Sequence, residues 1–126
     1  MSHIASYDTQ ITNVDQPLLL QVMNYAAGLL GGKVTDRVSE YNNRADKKVL
    51  AAITTPKLKS GIGVEIINGK LMFVGDNYGK QEEFNRVKNK ILDTYYGSAL
   101  AKTLPSMGFK VAVKDTGQVV TIEASR

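Results

Sequence analysis

The sequence predicts an α+β fold in which an antiparallel sheet packs two helices on one of its faces. Two long stretches repeat apolar residues every three or four positions, as amphipathic helices do. Short segments rich in Val, Ile and Thr flank and separate these stretches, and their composition favours strands. The pair Asn68-Gly69 stands between two such segments and is typical of a two-residue hairpin turn. The expected order of elements is therefore β-α-β-β-β-β-α-β-β.

The first strand and the first helix are predicted from the N-terminal quarter of the chain. Residues 4–11 alternate in polarity, as an edge strand does. Asn13 is expected to cap the helix that follows, because Gln16 stands three residues later and Pro17 suits a first turn. The pair Gly31-Gly32 should end this helix, since glycine readily adopts the left-handed conformation of a C-cap.

Four strands are predicted before the second helix. Residues 33–39 and 48–54 form the first two, which are joined by a turn rich in Asn and Asp. Residues 56–60 are expected to be a short basic loop. Residues 63–67 and 70–74 form the next two strands, a hairpin whose Asn-Gly turn requires positive φ at both positions.

A second helix and a final hairpin close the predicted fold. Glu82 and Glu83 suit the first turn of this helix, because their negative charge opposes the helix dipole. The helix is expected to end within residues 104–108, where a proline occurs. Residues 109–113 and 119–123 then form the two strands of the last hairpin.

The order of elements contains a possible internal duplication. Strand, helix, strand, turn and strand describe both residues 3–54 and residues 70–124. Two βαββ units of this kind would build one curved antiparallel sheet with both helices on one face. The whole chain, residues 1–126, is expected to form a single domain, because a domain of this length buries enough surface for one core.

The composition excludes several classes of site. The chain has no Cys and a single His, which rules out a disulfide framework, a thiolate nucleophile, a Cys-ligated metal and a multi-histidine site. No acid–base–nucleophile combination and no nucleotide fingerprint stands out, so no catalytic residue, metal or cofactor is predicted. The longest apolar stretches fall far short of the ~20 residues that a membrane-spanning helix needs. Since the N-terminus also lacks the pattern of a signal peptide, we expect a cytoplasmic protein without membrane contact.

Basic residues are concentrated after the first helix. Residues 1–32 contain no Lys or Arg, whereas residues 33–126 hold all 16 basic residues and ten of the 12 acidic ones, an excess of six. An excess of this size favours weak, salt-sensitive attraction to an anionic partner. A solvated surface with spare lysines is the alternative explanation.

Six of these basic residues lie in or beside the predicted turns of the central strands and form the candidate set for binding anions or nucleic acid. If the turns stand at one end of the sheet, as we expect, the basic residues come together there. Tyr41 and Tyr78 could add stacking faces, as in proteins that bind single-stranded RNA or DNA. The six residues are Arg44, Lys47, Lys48, Lys57, Lys59 and Lys70.

Three further motifs have both a functional and a structural explanation. Residues 75–80 open the second helix, whose N-terminus is a potential anion site. Asp76, Glu82 and Glu83 form an acidic cluster that could bind a divalent ion or act as acid and base, while capping and dipole compensation are the simpler explanation. His3 could be a general base or a ligand shared between subunits, but no orienting carboxylate stands at a fixed spacing from it.

Several short motifs, taken in order, resemble an uncharacterised family. They include the Met1-Ser2-His3 opening, the hairpin of residues 61–76, and the Gly108-Phe109 entry to the last hairpin. This pattern is similar to the hypothetical chloroplast and cyanobacterial reading frames (ycf thirty-five type), whose domain has no known function. The resemblance implies the fold but no established activity, substrate or catalytic residue. The family-pattern positions in this chain are Ser2, His3, Thr9, Asp76, Tyr95 and Gly108.

These observations favour a small non-enzymatic binding or accessory module. We expect it to act on another macromolecule, either a protein partner or a second copy of itself in a homodimer formed through an open sheet face or edge. Binding of RNA or single-stranded DNA through the basic loops is one alternative. A small-ligand binder or an enzyme with a cleft between sheet and helices, using Asp76 and His3, is another.

Overall fold

The structure, a computed structural model, describes residues 3–42, 45–103, 110–115 and 120–125, with side chains described up to Lys102. The described residues form seven strands and two helices. In chain order these are β1 (Ala5–Asp8), α1 (Gln16–Leu30), β2 (Lys33–Ser39), β3 (Asp46–Thr55), β4 (Leu58–Ile67), β5 (Lys70–Gly75), α2 (Gln81–Thr103), β6 (Lys110–Asp115) and β7 (Val120–Ser125).

Five strands form an antiparallel sheet in the order β1-β5-β4-β3-β2. Both helices contribute to one core on one face of this sheet, so the predicted α+β fold and the predicted order of elements are confirmed. β1 is an edge strand, as expected, and pairs with β5 from Ala5 opposite Gly75 to Asp8 opposite Met72. β2 forms the other edge.

The main core lies between the sheet and the helices. α1 contributes Leu19 and Met23, and α2 contributes Phe84 and Ile91, all of which are buried. Strand side chains alternate between the two faces of the sheet, so every second residue points toward the helices. The buried strand residues of this core include Ile53, Ile62, Val64, Leu71 and Phe73.

The N-cap of α1 is Asp15, and the prediction of Asn13 is wrong. The Asp15 carboxylate accepts a hydrogen bond of 3.1 Å from the backbone N–H of Leu18. Asn13 precedes the cap with a φ of 51°, a left-handed conformation that asparagine tolerates well. The predicted end of the helix is confirmed, because Gly31 is the C-cap with a φ of 69°.

The predicted hairpin of β4 and β5 is confirmed. Asn68 and Gly69 form its two-residue turn with φ values of 53° and 78°. Positive φ at both positions is the reason why this pair favours such a turn. The strands pair in register from Ile67 opposite Lys70 to Ile62 opposite Gly75.

The basic loop predicted at residues 56–60 is wrong. β3 continues to Thr55, and β4 begins at Leu58, so only Pro56 and Lys57 form the turn between them. Thr55 and Leu58 face each other across this turn. The basic side chains of this region therefore stand on a tight turn and on the first residues of a strand.

A register shift carries the end of β2 across the back of the sheet. Pairing with β3 is interrupted between Thr35 and Arg37. Beyond the shift, Val38 packs with Val49 in a second, smaller core on the face away from the helices. Gly63 of β4 leaves the space for this packing, since a Cβ there would lie 2.8 Å from the Val49 side chain and 3.1 Å from that of Val38.

The last hairpin stands apart from the five-stranded sheet. β6 and β7 pair with each other in a separate two-stranded sheet and lie against α2. The order β-α-β-β therefore occurs twice, but the second hairpin does not extend the first sheet as a duplicated unit would. The predicted end of the second helix within residues 104–108 lies outside the described residues.

Candidate functional site

The turn between β3 and β4 is tied to the start of α2 by a buried hydroxyl group. Thr55 Oγ1 donates a hydrogen bond of 2.6 Å to Glu83 Oε2. The same oxygen accepts a hydrogen bond of 3.1 Å from the backbone N–H of Leu58, which closes the turn. The position of Lys57, at the tip of the turn, is therefore set relative to the helix.

Glu83 also holds Arg86, which lies one turn further along α2. Arg86 Nε donates to Glu83 Oε1 at 2.7 Å, and Nη2 donates to Oε2 at 3.0 Å. Arg86 and Thr55 together lower the pKa of Glu83, and Arg86 is the larger cause. The bidentate pair in turn raises the pKa of Arg86. Both groups are therefore charged at neutral pH.

α2 begins without a side-chain cap that can accept hydrogen bonds. Lys80 occupies the cap position, because its carbonyl oxygen accepts the first helical bond, from Phe84 N–H at 2.9 Å. An ammonium group has no acceptor, so the Lys80 side chain itself does not cap the N–H groups of the first turn. A hollow of about 330 Å³ lies at this helix start, and Lys57, Lys80 and Arg86 are among the residues that line it.

Two tyrosine rings contact each other ahead of α2. The centroids of Tyr41 and Tyr78 are 5.5 Å apart, and the ring planes are tilted by 58°. Both side chains are half exposed. Tyr41 follows β2, and Tyr78 precedes α2. The two rings meet because the end of β2 crosses the back of the sheet.

Asp76 holds the backbones that carry both rings. Its Oδ2 accepts the backbone N–H of Tyr41 at 2.9 Å, and its Oδ1 accepts that of Tyr78 at 3.0 Å. The residue is only 2% exposed. Burial, and to a lesser degree the charge of Asp76, raises the pKa of Tyr7, which packs against Phe84.

Cations and rings thus share one region, which we call the basic–aromatic surface. A second hollow of about 350 Å³ lies there, lined by Tyr41 and by the turn between β3 and β4. Among the described residues, no carboxylate lies within ion-pair distance of Lys57, Lys59 or Lys80. The basic–aromatic surface consists of Tyr41, Lys57, Lys59, Tyr78, Lys80 and Arg86.

The six basic residues predicted from the sequence do not all gather at this surface. Lys57 and Lys59 belong to it, but Lys70 lies at the other end of the central strands and pairs with Asp8 at 2.8 Å. Lys47 pairs with Glu65 at 2.9 Å. Lys48 lines a different hollow, beside Gln16 and Glu65. Arg44 lies outside the described residues.

The strand directions explain why the predicted grouping at one end of the sheet is wrong. β4 runs from Leu58 to Ile67, a length of about 30 Å at ~3.3 Å per residue. Lys57 precedes its first residue, whereas Lys70 pairs with its last. The two lysines are therefore separated by the length of the sheet.

The family-pattern positions are scattered over the fold. Thr9 Oγ1 donates to the carbonyl oxygen of Leu71 at 2.6 Å, which anchors the end of β1. The Tyr95 hydroxyl accepts the backbone N–H of Asp15 at 3.1 Å and so joins α2 to the start of α1. His3 is exposed ahead of β1. Ser2 and Gly108 lie outside the described residues.

The acidic cluster does not form one site. Asp76 binds two backbone N–H groups, Glu83 binds Thr55 and Arg86, and Glu82 is exposed. In the described part of the chain, no three His, Asp or Glu side chains are placed to hold a metal ion.

The space between sheet and helices is filled by core side chains, and the hollow at the helix start is open and basic. The expected cleft with Asp76 and His3 has no support in this arrangement.

Neither the place of Arg86 in the surface nor the meeting of the two tyrosine rings was predicted from the sequence. Arg86 stands three residues after Glu83, a spacing that brings side chains together on a helix, and this signal was available. The contact of Tyr41 with Tyr78 depends on the path of β2, and only their residue types indicated it.

Comparison with known proteins adds no relative to these observations. No family model matches the chain, and no curated protein or solved structure matches it significantly. The resemblance to the chloroplast and cyanobacterial reading frames therefore stays a prediction. Within the described residues, neither helix is long and apolar enough to cross a membrane.

Proposed function

We propose that this protein is a non-enzymatic binding module that holds the phosphate backbone of a nucleic acid on its basic–aromatic surface. The observation that carries the proposal is the convergence of Lys57, Lys59 and Lys80, all without an ion pair to a described residue, near the start of α2. Lys47 and Lys70, by contrast, are paired with carboxylates. Lys57, Lys59 and Lys80 line one hollow together, next to the exposed ring of Tyr41.

The charge of this surface suits an extended anion. The three lysines and Arg86 outnumber the two nearby carboxylates, Glu82 and Glu83, which leaves an excess of two positive charges. The N-terminal end of a helix adds partial positive charge through its free N–H groups. Lysines that contact phosphates release condensed counterions, and this release makes the binding strongly salt-dependent.

The exposed tyrosines favour nucleic acid over an acidic protein. Lysines attract phosphates and carboxylates alike, so charge alone does not separate the two partners. Flat aromatic faces next to cations are the arrangement on which unpaired bases stack. Tyr41 offers such a face in the hollow that Lys57, Lys59 and Lys80 line, and Tyr78 contacts Tyr41.

Fluorescence-anisotropy titration tests the proposal. Labelled single-stranded RNA, single-stranded DNA and duplex DNA are titrated with the protein at low salt, with a poly-glutamate peptide as a further probe. We expect nucleic acid to bind, and three or four phosphate contacts predict a loss of about 20-fold to 50-fold in the affinity for single strands between about 50 mM and 200 mM salt. Absence of binding to every nucleic acid at the lowest salt, or binding of the peptide alone, would reject the proposal.

Self-association is a second candidate, and the free edge of the sheet favours it. β2 is an edge strand, and residues 33–37 are exposed along it. Such an edge presents unpaired N–H and C=O groups to a second strand. Light scattering should give twice the chain mass of 13.8 kDa if the edge pairs in solution, and a value near 13.8 kDa would reject a homodimer. The cytoplasmic location stays a proposal that rests on the sequence.

A further inference from the structure

We infer that Asp76 fixes Tyr41 and Tyr78 as two separate stacking faces for unpaired bases, so that the basic–aromatic surface selects single-stranded over duplex nucleic acid. This inference rests on the proposed function and deepens it. It names the form of the nucleic acid and assigns Asp76 as a positioning residue.

The first step is the position of the rings. Asp76 comes directly after β5, and its buried carboxylate accepts one backbone N–H from each tyrosine. Two different loops, one after β2 and one before α2, are joined at this single side chain. Hydrogen bonds to an ionised carboxylate are stronger than those between neutral groups, so the two loops are held firmly.

The second step is the geometry of the rings. Tyr41 is 54% exposed and Tyr78 is 50% exposed, so each ring keeps a face open to solvent. Their planes are tilted by 58°, so one flat base cannot stack on both. Two bases on the two rings would be inclined to each other by a similar angle. Bases in a duplex are parallel and cover each other's faces, so only an unpaired strand supplies bases in this arrangement.

The third step is the position of the cations. Lys57, Lys59 and Lys80 line the hollow that Tyr41 also lines. These lysines therefore lie around the same hollow as the ring, where the backbone of a strand with a base stacked on Tyr41 would pass. Base stacking and phosphate contact then contribute separately to the affinity, because salt weakens the contacts of the lysines with phosphate but not the stacking on the rings.

The test compares variants on single-stranded and duplex probes. The probes are labelled twelve-nucleotide oligothymidine, oligouridine and a duplex of the same length, measured by anisotropy. The double variant Tyr41→Leu with Tyr78→Leu removes both rings and keeps apolar bulk. Tyr25→Leu removes another exposed ring, on α1, and is the matched control. Asp76→Asn replaces one acceptor by an amide N–H₂ group, which cannot accept either backbone N–H.

Wild-type protein should bind the single strands at least tenfold more tightly than the duplex. The double variant should lose at least tenfold on single strands with an unchanged duplex affinity, since each stacked base is worth a factor of about five or more. Asp76→Asn should lower the ratio of single-strand to duplex affinity while the salt slope stays at the wild-type value. A merely structural role of Asp76 would weaken both probes equally.

A second measurement does not depend on the folding of Asp76→Asn. The chain has no Trp, so its intrinsic fluorescence comes from tyrosine. Single strands should quench this emission, and duplex should not; the quenching should persist in Tyr25→Leu and disappear in the double tyrosine variant. Equal affinity for duplex and single strands, with no effect of the double variant, overturns the inference while the proposed function stands. Absence of binding to all three probes overturns both.

Discussion

Thr55 and Glu83 are 28 residues apart in the chain and share a buried hydrogen bond of 2.6 Å. This bond connects the tight turn between β3 and β4 to the first turn of α2. Lys57 stands on that turn, and Lys80 and Arg86 stand at the start of the helix. The bond therefore fixes the relative positions of the cations that form the basic–aromatic surface.

Replacing Thr55 by Val keeps the shape of the side chain and removes its hydroxyl. Glu83 then loses one donor in a buried position, and Leu58 N–H loses its acceptor. We expect the free energy of unfolding to fall by about 1–3 kcal/mol, as for other buried hydrogen bonds to charged groups. Urea denaturation measures this change, and Thr54→Val, one residue earlier in β3, is the matched control. Equal stability of the two variants would contradict the role of the bond.

The same carboxylate predicts a pH dependence of stability. Arg86 and Thr55 lower the pKa of Glu83 in the folded protein below its ordinary value of 4.5. A carboxyl group with a lowered pKa stabilises the fold above that ordinary value, and this stabilisation is lost as the pH falls through the folded-state pKa. Wild-type stability should therefore drop as the pH falls below the ordinary value of 4.5 and through the lowered pKa of Glu83, and Glu83→Gln should show a smaller drop. Glu82→Gln keeps Glu83 and should retain the wild-type drop when both variants are measured by urea denaturation over the same pH range. A pH profile of Glu83→Gln identical to that of the wild-type protein would refute this account.

Tyr95 and Tyr96 are neighbours on α2 with opposite surroundings. Tyr95 is 5% exposed and its hydroxyl accepts the backbone N–H of Asp15, whereas Tyr96 is 54% exposed. Tyr95→Phe should lower the free energy of unfolding by about 1 kcal/mol, because the N–H loses a partly buried acceptor. Tyr96→Phe should change it by less than about 0.5 kcal/mol. Thermal or urea unfolding of both variants measures these changes. A larger loss of stability for Tyr96→Phe than for Tyr95→Phe would contradict the hydrogen bond between Tyr95 and Asp15.

Two glycines should respond in opposite directions to alanine. A Cβ at Gly63 would lie 2.8 Å from the Val49 side chain, whereas one at Gly28 on α1 would meet nothing within 4 Å. We expect Gly63→Ala to destabilise the protein by about 1–3 kcal/mol through overpacking of the back face. Gly28→Ala should stabilise it by about 0.5–1 kcal/mol, because alanine is the better helix former. A neutral Gly63→Ala would contradict the close packing of Val49 and Val38 against β4.

Local sequence signals predicted the fold well because most of its elements have local causes. The Asn68-Gly69 turn, the Gly31 C-cap and the apolar stripe on α2 each depend on neighbouring residues. The N-cap was misassigned because Asn13 and Asp15 are both good caps, and only the tertiary path shows which one meets the helix.

The candidate site was only partly predictable, because long-range geometry assembles it. Strand directions place Lys57 and Lys70 at opposite ends of the sheet, although the sequence puts both beside turns. Tyr41 and Asp76 are 35 residues apart in the chain, and only the fold brings the Tyr41 N–H to the Asp76 carboxylate. Neither arrangement produces a periodic pattern or a fixed residue spacing that can be recognised in a single sequence.

The central claim is that the lysines of the basic–aromatic surface hold a nucleic-acid backbone. The most direct test is the salt dependence of single-strand binding for two triple variants with equal loss of charge. One carries Lys57→Gln, Lys59→Gln and Lys80→Gln, and the other carries Lys47→Gln, Lys48→Gln and Lys70→Gln. The first should flatten the slope of log K against log salt by about 2, which corresponds to three phosphate contacts at ~0.7 each. The second should keep a slope near that of the wild-type protein. Equal slopes for the two variants would contradict the account.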